Sequence, residues 1–108
     1  MTNGSQAAFR ALADPTRRGI LAILATGDKT IGEVADQFEI TRPAVKKHLT
    51  ILEKGNLIDV VPRGRERINK LNTKGLLPVL QWLELFDAFW DERLIALKNA
   101  IENEDDTT

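Results

Sequence analysis

The chain of 108 residues has no cysteine. Disulfide staples and thiolate metal sites are thereby excluded, and a reducing compartment fits. There is a single histidine, His48. A catalytic histidine needs a nucleophile or acid partner, and none can be named here, so His48 reads as helix packing or groove-facing polarity. No stretch reaches the roughly 18 uncharged apolar residues of a membrane span, and MTNGSQAAFRAL has no basic segment followed by an apolar run. A cytoplasmic protein that does not meet a membrane is expected. GDKTIGE lacks the spacing and the lysine-serine or lysine-threonine ending of a phosphate-binding loop. Without a nucleophile, a paired acid and base or a cofactor loop, nothing points to an enzyme, and no cofactor is expected.

What is present is charge, unevenly placed. The formal net charge of −1 argues, taken alone, against a nucleic-acid binder. Residues 41–74, however, hold nine basic and three acidic side chains, whereas residues 75–108 hold two basic and eight acidic. A basic middle doubled in a dimer forms a footprint for phosphate, while the acidic end stays off the duplex. A solvated surface with local excesses is the plainer alternative from charge alone. The length fits one domain, 1–108, whose modest core leans towards an oligomer.

Periodicity predicts a mainly α chain of five helices with a two-stranded β-hairpin. Ala8, Phe9 and Leu12 mark a first helix over about 6–13. Asp14 followed by Pro15 starts a second, running to about Ala25, because Asp caps free N–H groups and proline at N1 gives up an unpaired donor. Ile31, Val34, Ala35 and Phe38 make a third. Thr41 caps a fourth, with Pro43 in its first turn, Val45, Leu49 and Leu52 inward, and Gly55 ending the run. Leu57, Ile58, Val60 and Val61, then Ile68 and Leu71, give strands over about 57–62 and 66–71 around a PRGRER turn. A long helix over about 74–99 carries Leu76, Leu80, Leu83, Trp90, Leu94, Leu97 and Ile101 on one stripe, widened by Val79, Trp82, Phe86 and Phe89. Such a helix spans roughly 37 Å, and its surplus apolar surface should meet a second copy. Residues 102–108 read as a disordered, solvated tail.

The third and fourth helices, joined by a short turn and followed by a basic hairpin, can place the fourth in a major groove. Thr41, Arg42, Pro43, Lys46, Lys47, His48 and Thr50 form that candidate surface, with Arg42 and Lys46 nearest to bases and Lys47 to the backbone. Thr41 both caps the helix and can touch phosphate. Arg63, Gly64, Arg65 and Arg67 form a wing for a minor groove or phosphates, with Glu66 pairing one arginine. Arg17 and Arg18 can touch phosphate or hold an ion pair. The candidate dimer seam is Phe9, Leu12, Leu80, Leu83, Phe86, Phe89, Trp90 and Leu94, although its aromatics could instead line a small-molecule pocket. Glu84, Asp87 and Asp91 lie on a common side but include no histidine to favour zinc, and read as a solvated face.

On FRALADPTRRGILAIL, IGEVADQFEITRPAVKKHLTILEKGNLI, VPRGRERINKLN and LLPVLQWLELFDAFWDERL, over about residues 7–97, the chain resembles the ArsR/SmtB family of winged helix-turn-helix repressors. It is similar to the branch without cysteines. The resemblance implies a homodimer joined through the first and last helices, the helix from Thr41 as recognition helix, and repression at an inverted repeat until a signal releases the protein. Where metal-sensing members place a cysteine pair at the start of the third helix, this chain has Thr30 and Gly32. No metal site is therefore expected, and the effector is not specified. An interaction module built on the long apolar helix, with no operator of its own, is the alternative function.

Overall fold

The computed structural model describes residues 3–86 and 92–106, with side chains for 6–86, 92 and 95–103. In chain order the elements are α1 (Asn3–Leu12), α2 (Pro15–Leu24), β1 (Lys29–Thr30), α3 (Ile31–Phe38), α4 (Arg42–Lys54), β2 (Ile58–Arg63), β3 (Glu66–Leu71), a 3-10 turn (Thr73–Leu76), α5 (Leu77–Glu84) and α6 (Glu92–Asp106).

Local chemistry sets the helix starts. Asp14 accepts from the backbone N–H of Arg17 at 3.0 Å, with Pro15 in the first turn of α2. Thr30 and Glu33 form a reciprocal capping box on α3: the N–H of Glu33 donates to Thr30 Oγ1 at 3.1 Å, and the N–H of Thr30 donates to Glu33 Oε1 at 2.9 Å. Thr41 Oγ1 accepts from the N–H of Ala44 at 3.3 Å at the head of α4. Glu39, in the left-handed region at φ 55°, closes α3 and lets the chain re-enter a helix three residues later.

Ala8, Ala11, Ile20, Leu24, Val34, Val45, Leu49, Leu52, Leu57 and Ile58 are buried in one core. Each large side chain among them contributes about 1.5–3 kcal/mol by leaving water. The core holds α4 against α1, α2 and α3, so the face of α4 opposite Val45, Leu49 and Leu52 is left outside.

Four expectations need correction. The hairpin is part of a three-stranded antiparallel sheet in the order β1-β3-β2, with Lys29 opposite Asn69 and Thr30 opposite Ile68. A two-residue strand has no periodicity to read, and its pairing is secured by buried Asn69, whose Nδ2 donates to the Lys29 carbonyl at 3.1 Å. The expected single helix over 74–99 opens instead as a 3-10 turn. Pro78 has no N–H for the Lys74 carbonyl, which takes that of Leu77. α5 then ends at Glu84, where Leu85 and Phe86 donate to the carbonyls of Trp82 and Leu83 at 3.2 and 3.0 Å, an i→i−3 tightening. Six α-helices thus stand among the described residues where five are expected. Finally, 102–106, expected as tail, continue α6, which the strong helix formers Ala96, Leu97, Lys98 and Ala100 carry forward.

Candidate nucleic-acid interface

Thr41, Arg42, Pro43, Lys46, Lys47 and Thr50 are all exposed at the start and along the outer side of α4. The hydroxyl of Thr50 is engaged by its own helix, donating to the Lys46 carbonyl at 2.9 Å. His48 is not on this face. It is half-buried on the flank towards α2, with Nδ1 3.5 Å from Arg17 Nη1.

Arg42 folds back over the first turn of α3, where a Cβ on Gly32 would lie 2.8 Å from its Nη2. There it meets the wing, because Arg65, Glu66 and Arg67 line the same cleft of about 320 Å³ as Thr30, Gly32 and Arg42. Lys46 and Thr50 border a smaller recess next to it, with Val60 and Arg67 on its far wall. The exposed basic face of α4 and the base of the wing are therefore adjoining surfaces.

The wing itself is a ribbon. Its register runs Val61–Ile68, Pro62–Arg67 and Arg63–Glu66, leaving a two-residue loop in which Gly64 takes φ +61°. β1 pairs only with Ile68 and Asn69, so beyond Arg67 the two strands project without a neighbour, and 61–67 are exposed. Pro62 is tolerated because β2 is an edge strand.

Among the described residues the sole ion pair is Lys70–Asp28, at 4.0 Å. Arg42, Lys46, Lys47, Arg63, Arg65 and Arg67 thus keep their charge uncompensated by a carboxylate contact. The expected pairing of Glu66 with an arginine is corrected here: it stands opposite Arg63 in the ladder without closing an ion pair. At an exposed tip such a pair is worth little against the freedom of two solvated side chains.

Arg17 and Arg18 also depart from expectation, since they act within the fold. Arg17 Nε donates to the Ala11 carbonyl at 2.8 Å and Nη2 to the Arg10 carbonyl at 3.1 Å, while Arg18 Nη1 donates to the Leu12 carbonyl at 2.8 Å. They satisfy the carbonyls that α1 leaves free at its C-terminal end. The N–H of Arg17, and then the nearby Arg17 charge, hold the Asp14 carboxyl below its ordinary pKa despite partial desolvation. Hydrogen bonds from the backbone and hydroxyl of Thr30 lower that of Glu33. The T-x-x-E spacing at Thr30 was a readable signal for the capping box, whereas no local pattern marks arginines that reach back six or seven residues.

On the opposite side, Phe9 is half-buried and meets the Trp82 ring edge-on at 5.8 Å, and Trp82 meets Phe86 likewise at 5.0 Å. Leu12 packs half-buried against the core. Leu80 and Leu83 stay 52% and 37% exposed, as do Leu85 at 74% and Ile95, Leu97 and Ile101 on α6 at just over half. Phe89 and Trp90 lie outside the described residues, as do Asp87, Asp91 and the Leu94 side chain. Among the described residues no three His, Cys, Asp or Glu side chains gather as a metal site, and no helix is long and apolar enough to cross a membrane.

A family described as a helix-turn-helix domain matches residues 12–61. The chain is 38% identical over 101 residues to the HTH-type transcriptional regulator Rv2034 of Mycobacterium tuberculosis, covering 94% of this chain and 92% of that protein. It is 39% identical over 75 residues to the transcriptional repressor SdpR of Bacillus subtilis, covering 69% and 83%. A solved ArsR-like transcriptional regulator from Rhodococcus sp. RHA1 superposes with a TM-score of 0.69 at 33% identity, over 90% of this chain and 92% of that one.

Proposed function

Because this chain belongs to the ArsR/SmtB family of winged helix-turn-helix transcriptional regulators, we propose that it is a homodimeric repressor that binds an inverted repeat in double-stranded DNA and is released by a signal other than a metal at the family's usual sites. The observation that carries this reading is the continuous basic surface formed by the outer side of α4 and the wing. Its six cations make no carboxylate contact among the described residues, so phosphate can replace only water around them.

In this reading α4 enters the major groove. Thr41, Arg42, Pro43, Lys46, Lys47 and Thr50 meet the duplex, and Arg63, Gly64, Arg65 and Arg67 follow the backbone or an adjacent minor groove. Lys46 is the foremost base reader, since Arg42 lies over Gly32. His48 contributes by holding the helix from behind. Two-fold symmetry sets two such helices on the order of 34 Å apart, which makes the site an inverted repeat. The second copy covers Leu80, Leu83, Leu85 and the apolar side chains of α6, which stand 37–74% exposed in a single chain. The acidic side chains described on α5 and α6, Glu84, Glu92 and Glu102, then stay off the duplex.

Selection of bound duplexes from a random pool tests this. Enrichment of an inverted repeat with half-sites about one helical turn apart is expected. Failure to enrich any sequence, from a chain that still dimerises, would favour an interaction module instead.

A further inference from the structure

We propose that the cleft between the wing and the head of α3 is a binding site for a small phosphorylated ligand, whose occupation competes with DNA. Three arginines from two separate parts of the fold line it: Arg42 from the first turn of α4, whose guanidinium lies over Gly32, and Arg65 and Arg67 from the wing. None has a carboxylate within ion-pair distance among the described residues. Bringing three like charges to one hollow is unfavourable unless an anion joins them, and planar guanidinium donors match phosphate oxygens two at a time.

The hollow is shaped for more than a bare ion. At about 320 Å³ it has room for a phosphate together with a small organic group. Its floor is Gly32, where the missing side chain lets the Arg42 guanidinium settle against the first turn of α3. The capping box occupies the N–H groups of Thr30 and Glu33, leaving those of Ile31 and Gly32 without an intrahelical acceptor. Glu66 is the single carboxylate on the wall, and it selects against highly charged anions that would approach it.

That such a ligand would release DNA rests on the function proposed above; that it binds does not. Arg42, Arg65 and Arg67 are shared between the two roles, so a phosphate held in the cleft removes cations from the DNA surface and fixes the wing against α3. A small anion and a backbone phosphate then compete for the same donors.

Amide NMR of the full chain tests the site without DNA, titrating with inorganic phosphate and with glycerol 3-phosphate against sodium chloride at matched ionic strength. Saturable shifts centred on Ile31, Gly32 and Glu66, absent with chloride, are expected. Affinity should fall roughly tenfold or more in Arg42→Ala/Arg65→Ala, and should rise in Glu66→Gln, which removes a repulsive charge and leaves the fold alone. Shifts no larger than those with chloride, or shifts unchanged in both variants, would overturn the site. If duplex DNA moves these amides and neither phosphate does, the cleft belongs to the DNA surface only, and the proposal fails while the DNA reading stands.

Discussion

Arg17 on α2 and His48 on α4 meet at 3.5 Å between Nη1 and Nδ1, while the other two guanidinium nitrogens of Arg17 hold the carbonyls of Arg10 and Ala11. One side chain thus ties the end of α1 to the inner flank of α4. Arg17→Ala should cost about 1–3 kcal/mol in denaturant unfolding, because the buried Ala11 carbonyl loses its donor. The salt dependence of DNA binding should stay as in the parent chain. A reduced salt slope with unchanged stability would mean that Arg17 touches phosphate instead.

The head of α4 was legible because its signal is local, Thr41 with Pro43 acting within one turn, and α3 showed through its apolar spacing, although the equally local pairing of Thr30 with Glu33 was not used. β1 was not legible, since two residues carry no period and their partners lie 40 and 38 residues away, Lys29 against Asn69 and Thr30 against Ile68 being known only once the sheet forms. Helical spacing placed Thr41, Arg42, Pro43, Lys46, Lys47 and Thr50 on the exposed side of α4, but left His48 open between packing and the outer face, because helical position alone does not say which flank another element covers. The convergence of Arg42 with Arg65 and Arg67 depends on how the wing leans over α3, which no spacing encodes.

Gly75 passes so close to the Asn56 carbonyl that a Cβ there would overlap the backbone on both sides of the peptide. Asn56 itself turns in the left-handed region at φ 60°. Gly75→Ala should lower stability by at least about 1–3 kcal/mol, since backbone must move to admit a methyl group. Thermal unfolding measures it, and a neutral result would show that the approach is looser than described.

Asp14 and Glu33 titrate below their ordinary values in the folded chain. The unfolded chain therefore binds more protons at mildly acidic pH, and the stability these caps contribute is complete above the ordinary carboxylate range near pH 4 and lost as pH falls through it towards the lowered values. Glu33→Gln keeps an acceptor for the Thr30 N–H without a charge to titrate, so unfolding midpoints measured from pH 6 downwards should fall less steeply than in the parent. Parallel curves would show that Glu33 is not a source of the acid sensitivity.

Leu80 and Leu83 remain substantially exposed in the single chain. If a second copy covers them, Leu83→Glu buries an uncompensated charge in each protomer, at roughly 3–5 kcal/mol apiece. Light scattering after size-exclusion chromatography should then report a monomer, with DNA affinity reduced accordingly. A dimer that persists unchanged would place the seam elsewhere.

Fluorescence anisotropy, comparing the enriched inverted repeat with a shuffled duplex at two salt concentrations, tests the DNA-binding reading most directly. The repeat should bind about 1,000-fold more tightly than the shuffled duplex, with an affinity that falls steeply with salt and a slope that shrinks in Arg63→Ala/Arg65→Ala. Equal affinity for both duplexes, or a salt slope indifferent to the wing arginines, would contradict it.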